Sequence, residues 1–457
     1  MKKQIALAFF LAATFSAQAQ QGGISSEMLN QIKQSYQHSA SDKAIRNALG
    51  TNSIDQLAVN QENLANFDTH FTYKVKSIGI TNQKSSGRCW LFTGMNVLRA
   101  QMINQYKLDG MEFSQNYVFF YDQLEKANLF LQGIIDTAKK PMEDRTVDWL
   151  FQHPLSDGGT FTGVADLIQK YGLVPAAVMP ETYASNNTSK MRSLISLKLK
   201  EFGLQLREAV AKGAKTSAIQ QQKTEMLGTV YRMLAINLGE PVQHFTWALK
   251  DGEPKEYTPV QFYKEFLGND LTNDYVLLMN DPSREYYKCY EIDYDRHVYD
   301  GHNWIYVNLP IEEIKEIAIA SIKDNTSMYF SCDVGKFIDR ERGLLDVKNY
   351  DYESLMGTTF GMDKKQRIQT YASMSSHAMT LMAVDLDKNG KSKKWMVENS
   401  WGMTGYKGHL IMTDEWFNEY MFRLVAQKKY VPAKVQELLK QKPILLPAWD
   451  PMFSQDN

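Results

Sequence analysis

The chain has 457 residues, with 51 Lys+Arg against 52 Asp+Glu, and is 44% hydrophobic and 12% aromatic. That balance describes a globular protein with enough apolar mass for a large core, and it excludes a disordered chain. With no basic excess and no clustered Lys/Arg stripe, nucleic acid is not expected as a partner.

The first twenty residues, MKKQIALAFFLAATFSAQAQ, place Lys2 and Lys3 before an apolar stretch from Ile5 to Phe15 and then Ala17-Gln18-Ala19. This is the order of a cleavable secretory signal, with cleavage expected after Ala19. An apolar run this short falls well below the roughly 20 residues that span a bilayer, and no later stretch is long and apolar enough, so no membrane anchor is expected. The mature protein is therefore expected to be exported, to a periplasm or to the outside of the cell. Residues 20–72 read as short helices in a polar stretch, an N-terminal arm.

A core begins near Tyr73. After NQKSSGRCW, apolar Met95, Leu98 and Met102 recur at near-helical spacing, so Cys89 is expected in the first turn of a helix. SQNYVFFYDQLEKANLFL reads as a second buried helix, and SDGGTFTGVADLIQKYGLVP as a glycine turn, a helix and a stop. Residues 73–180 thus form a helical lobe carrying Cys89. Two long helical patterns without proline follow, making residues 181–300 a mainly helical insertion. Strand-like YVLLM and NWIYVNL, a helix from Ile311 to Lys323 and then MYFSCDV lead into a β-rich lobe over residues 301–446, closed by a tail at 447–457.

Three cysteines, Cys89, Cys289 and Cys332, are too few for a disulfide framework, and no Cys/His spacing marks structural zinc; no metal or organic cofactor is expected. Cys289 and Cys332 read as small buried hydrophobes rather than as a pair. A thiol at a helix N-terminus feels the positive end of the macrodipole and unpaired backbone N–H groups, which favour the nucleophilic thiolate. A thiolate needs a base. Of eight histidines, His377 opens an apolar strand, SSHAMTLMAVDLD; the turn at Asn389-Gly390 returns the chain through KWMVENSWG, which carries Asn399. A tight turn sets Asn399 opposite Thr380, a looser one opposite His377, and either brings the amide within about 10 Å of the imidazole. Cys89, His377 and Asn399 then supply nucleophile, base and orienter. Gln83, six residues before Cys89, offers an amide to an oxyanion beside the Cys89 backbone N–H, and Trp401 shares the strand face of Asn399.

NQKSSGRCW, SSHAMTLMAVDLD and WMVENSWG resemble the Gln, Cys, His and Asn-Ser-Trp-Gly boxes of papain-like cysteine peptidases, and in detail the bleomycin hydrolase/aminopeptidase C branch. The likeness continues through MPETYASNNTS, SCDVGKF, YDYESLMGTTFGM and LPAWDPM, over most of residues 70–452. It implies an α+β fold of two lobes with a helical insertion, which fits the separation of Cys89 and His377, about twice the roughly 130 to 150 residues of the papain pattern. It implies a cysteine aminopeptidase acting on peptides, in which Gly158 and Gly159 hydrogen-bond an extended substrate backbone, Trp401 shields the Asn399–His377 contact, and six chains form a ring. It also places the C-terminal tail in the cleft, where the Asn457 carboxylate would meet the substrate amine. Ser86 departs from papains, standing where their CGSCW signature has its first Cys, and DPMFSQDN departs from the branch's short small-residue ending. An endopeptidase of the same fold and a catalytically silent scaffold are the alternatives, separated by cleavage of N-blocked peptides and by labelling with a thiol-directed electrophile.

Overall fold

A computed structural model describes residues 22–453 except Asn66 and Asp251. The signal sequence and Asn457 lie outside the described residues. Two compact units are present: one contains the chain up to Val59 together with Asp351–Thr358, the other contains Asn60–Tyr350 and the chain from Thr359.

The first unit is a set of short helices, Ser26–Ser35, Ala40–Leu49, Ile54–Ala58 and Tyr352–Met356. Each of the first three begins after a serine whose hydroxyl accepts a first-turn N–H, which is why polar sequence still forms helix there. The two longest bury no side chain, so caps rather than a core define them.

The second unit joins helices to one large mixed sheet and a small two-stranded one, Phe245–Trp247 with Lys255–Tyr257, the α+β class expected from sequence. The cysteine helix, Cys89–Tyr106, is buried along most of its length and packs against helices Gln115–Asp136 and Phe161–Tyr171. Helices Thr188–Ala211 and Thr216–Leu238 pair with each other and lie on Gln115–Asp136, extending the same apolar cluster through Ile195, Leu199, Val230 and Leu234. The sheet runs through Tyr275–Met279, Met421–Gln427, Met328–Cys332, His377–Leu386, Ser392–Glu398 and His409–Thr413 in spatial order, with shorter strands at both ends. Trp395, Leu381, Met396, Phe417 and Ile317 form its own apolar cluster.

The strand His377–Leu386 has nearly every residue buried because it has a partner strand on each side and the cysteine helix across one face. Next to the turn Leu386 faces Ser392, so the turn is looser than two residues; an irregularity between Asp385 and Leu386 then brings in the tight-turn register, where Ala383 faces Met396 and Asp385 faces Lys394. An irregularity between Leu381 and Ala383 then shifts the pairing so that Thr380 faces Glu398. Asn399 therefore does not sit opposite Thr380, and it does not sit opposite His377 either. The extra residue of the bulge re-aims the end of the strand.

Helix and sheet are clamped by charge. Arg99, on the cysteine helix, donates to the Glu398 carboxylate with both side chains 2% exposed, and Ser77 Oγ donates to the other Glu398 oxygen at 3.1 Å. Burial pushes the Glu398 carboxyl up, opposed by the Arg99 charge. Breaking such a pair strands a buried charge, so Arg99→Ala should cost about 3 to 5 kcal/mol in urea unfolding. Arg99→Met with Glu398→Leu should recover most of that loss. A single-variant cost under about 1 kcal/mol would show that the pair is not the clamp.

Candidate active site

The loop before Cys89 is tied to the strand end that carries Asn399. Gln83 N–H donates to Ser400 O at 2.8 Å, Gly402 N–H donates to Thr81 O at 3.0 Å, and Asn82 bridges to Trp401. The helix begins at Cys89 directly after Arg88, whose side chain is fully buried and gives no N-terminal cap. Arg88 instead makes a bidentate pair with Glu181, at 3.0 and 2.8 Å, between the rings of Phe92 and Phe119. Its Nε donates to Ser86 Oγ, which itself donates to Gln83 O at 2.6 Å. Ser86 is thus a hydrogen-bonding hub of the loop that presents the thiol.

His377 Nε2 lies 2.8 Å from Asn399 Oδ1. The Ser400 N–H also donates to that oxygen at 2.8 Å, and because a backbone N–H can only donate, the amide orientation follows. Nε2 must carry a proton to meet an acceptor, which leaves Nδ1 as the basic nitrogen of the neutral ring. The Trp401 indole stacks on the imidazole, with centroids 4.7 Å apart and planes 28° from parallel. Burial pulls the imidazole down to about 4, with the Asn399 hydrogen bond opposing and the Arg340 charge adding to the fall.

Cys89, His377, Gln83, Gly158 and Gly159 line one cleft of about 330 Å³, with Cys89 partly exposed and His377 nearly buried. Gln83 uses one amide hydrogen on Ser86 O at 2.7 Å, and its Oε1 accepts the Ser400 hydroxyl at 2.6 Å. Ser400 therefore holds the Gln83 amide with its NH2 side away from the Asn box.

Sequence reasoning left out the framework behind the glycines. Asp157 accepts the Gly87 N–H at 2.8 Å, receives the Thr188 hydroxyl and pairs with Arg192, and its carbonyl accepts Trp90 Nε1–H at 2.9 Å. Lys126 donates to the carbonyls of Ser156 and Gly158. A Cβ on Gly159 would lie 2.1 Å from the His297 ring, whose Nδ1 is 2.5 Å from Asp122 Oδ1. A side chain cannot fit there. Among the described residues, none hydrogen-bonds to the N–H or C=O of Gly159. The only sequence signal for this framework was the Asp beside the double glycine.

Cys289 and Cys332 are both buried and unbonded to each other, as read from sequence; burial raises Cys289 to about 11 and holds Cys332 well above the thiol range. Cys332 faces His377 across the strand pair. The tail reaches the same region: Arg423 lines the cleft, donates to Met452 O at 2.6 Å and lies over the buried Phe453 ring. Asn457, four residues on, is outside the described residues. Among the described residues no His, Cys, Asp and Glu cluster is arranged to hold a metal, and no helix is long and apolar enough to cross a membrane.

A family model described as Peptidase C1-like family matches residues 23–453. The chain is 40% identical to rat bleomycin hydrolase over 388 residues, covering 82% of this chain and 85% of that protein. It is 38% identical to aminopeptidase C of Lactobacillus delbrueckii subsp. lactis, covering 89% and 92%. Among solved structures, PepW from Lactobacillus rhamnosis HN001 superposes with a TM-score of 0.89 at 37% identity, covering 94% of this chain and 99% of that one.

The buried imidazole gives a direct test. With the thiol removed in Cys89→Ala, His377 should titrate near pH 4 by NMR rather than near its ordinary 6.5. Unfolded chains would bind that proton first, so stability should fall as pH drops from about 6.5 towards 4, by roughly 3 kcal/mol from this group. A midpoint near 6.5 would show the ring to be solvated.

Proposed function

The chain belongs to the Peptidase C1-like family, and from that premise we propose that it is a cysteine aminopeptidase that removes residues from the N-termini of peptides. The observation that carries the reading is the His377–Asn399 hydrogen bond under Trp401, sharing one cleft with Cys89 at a helix start. The aminopeptidase C and bleomycin hydrolase relatives support the same reading.

Cys89 gives its proton to His377 Nδ1, and the thiolate attacks the scissile carbonyl carbon. Attraction between thiolate and imidazolium offsets the burial that otherwise keeps the ring neutral. The carbonyl oxygen becomes an oxyanion that takes the second Gln83 amide hydrogen and the Cys89 N–H. His377 then protonates the leaving amine as the C–N bond breaks, leaving a thioester on Cys89. Water, deprotonated by the same nitrogen, releases the residue and restores the thiol. Asn399 holds the imidazole in the tautomer this cycle needs, Trp401 keeps water from that bond, and the unspent backbone groups of Gly159, with Gly158 beside it, pair with the acyl side of the substrate.

In this reading residues 1–19 direct export to a periplasmic or extracellular destination, and six chains form a ring with the clefts facing inward. The tail limits access. Arg423 fixes Met452 and Phe453 at the cleft, which supports an Asn457 carboxylate placed to meet a substrate α-amine and to block longer chains.

Wild-type enzyme should trim free-amine peptides stepwise, as read by mass spectrometry, and leave N-blocked peptides intact. Cys89→Ser should remove nearly all turnover while circular dichroism is unchanged, because a hydroxyl here has no base tuned to it. Internal cleavage of blocked peptides would mean an endopeptidase. Absence of both turnover and Cys89 labelling would mean a silent scaffold.

Deleting residues 454–457 should weaken cleavage of free-amine peptides and raise cleavage of blocked ones, with little change in Tm, because a terminal segment buries little core. Unchanged stepwise trimming by the truncated enzyme would assign amine selection to something other than the tail.

A further inference from the structure

The reaction has two sides, and Gly158 and Gly159 serve only the acyl side. His377 must hand its proton to the leaving amine, so the leaving segment starts at the imidazole, and the Trp401 indole is stacked against that ring. Above that indole lies a cation. The Arg340 guanidinium carbon is 4.9 Å from the Trp401 ring centroid, on the exposed stretch after strand Ile338–Asp339.

Most cations near this site are already engaged: Arg88 with Glu181, Arg192 with Asp157, Lys126 with Asp122 and Arg99 with Glu398. Arg340 is different. Among the described residues it forms no ion pair and no hydrogen bond, and it rests on the indole face. Asp339, the preceding acid, is held by Arg342 through Nε at 2.7 Å and the backbone N–H at 3.0 Å, while Glu341 makes no ion pair with Arg340. An arginine resting on an aromatic face keeps its in-plane N–H donors for a further acceptor, and a carboxylate matches that fork.

Reach decides which carboxylate. The imidazole and indole centroids are 4.7 Å apart and the indole and guanidinium 4.9 Å, so Arg340 lies within about 10 Å of the imidazole. An extended peptide advances about 3.3 Å per residue, which brings the first three residues of the leaving segment within its reach. We propose that Arg340 is a specificity-determining residue that binds a carboxylate on the leaving segment, either the C-terminus of a short peptide or an acidic side chain. The inference rests on the aminopeptidase reading and names the substrate class that reading leaves open. Part of the depression of the His377 imidazole comes from the Arg340 charge, after burial, so the two groups sense each other; a bound carboxylate would relieve that repulsion as the imidazolium forms.

The test uses the full-length enzyme and matched substrates: Ala-Ala-Ala against its C-terminal amide, and Ala-Glu-Ala-amide against Ala-Gln-Ala-amide. At low salt the kcat/KM ratio should favour the charged member of at least one pair by roughly two- to fivefold, the size of an exposed charge pair. The pair that discriminates identifies the source of the carboxylate. Arg340→Ala should bring that ratio close to one, Arg340→Glu should invert it, Arg340→Lys should retain part of it, and 0.5 M NaCl should compress the wild-type ratio. Ratios that are near one in the wild type, or that survive Arg340→Ala unchanged, overturn the inference while stepwise trimming of the amides leaves the aminopeptidase reading standing. Failure of that reading looks different, because the wild type would then trim none of the four.

Discussion

In the proposed reaction a nucleophile and a base separated by most of the chain can work together only if a helix start and a strand end are held at fixed distance, and the buried Arg99–Glu398 pair ties that helix to that strand. Arg99 lies on the cysteine helix, and Glu398 immediately precedes Asn399. The pairing of residues 81–83 with 400–402 is a second fastening between the same two pieces, nearer the thiol. Both are polar, the first fully buried and the second partly so, and each can be satisfied in only one alignment of helix against sheet. A purely apolar contact would tolerate sliding, because many packings bury similar area.

The same logic runs outward from the site. Ser400 donates its N–H to Asn399 and its hydroxyl to Gln83, so one residue fixes both side-chain amides. Asp157 joins Gly87, two residues before the thiol, to Arg192 on helix Thr188–Ala211, so that helix reaches the cleft. These arrangements have a cost. Among the described residues, Asn399 Nδ2 is buried without a hydrogen-bond partner, a penalty of about 1 to 3 kcal/mol that a residue chosen only for stability would avoid. Local frustration of this sort is expected where chemistry rather than stability sets the residue.

Legibility from sequence followed the range of the forces involved. The helix start at Cys89, the helix Ile311–Lys323 and the strand Tyr275–Met279 were readable because periodicity and flanking residues are local signals. The hairpin was readable from Asn389-Gly390, yet the position of Asn399 was not, because the irregularities between Leu381 and Ala383 and between Asp385 and Leu386 shift the register and leave no mark in the alternation. Ser86, Arg88 and Glu181 were invisible as a group, since a buried ion pair between residues so far apart has no spacing rule. His297 was passed over among eight histidines for the same reason: its meaning comes from Asp122 and Gly159, which the fold alone brings to it.

Cations in and around the site show how burial divides labour among chemically identical groups. Arg88 is fully buried with both carboxylate oxygens of Glu181, so its charge is neutralised where it stands and it serves shape. Arg423 is also buried, but it spends itself on a backbone carbonyl and an aromatic ring of the tail, coupling the chain end to the cleft. Arg340 is exposed and rests on the indole beside the imidazole. Solvent screens it most, so it contributes least to stability, and for that reason its charge can be exchanged between water and a passing ligand at little cost. A site assembled this way keeps its rigid charges behind the reacting atoms and its adaptable one on the side where the leaving segment must come and go.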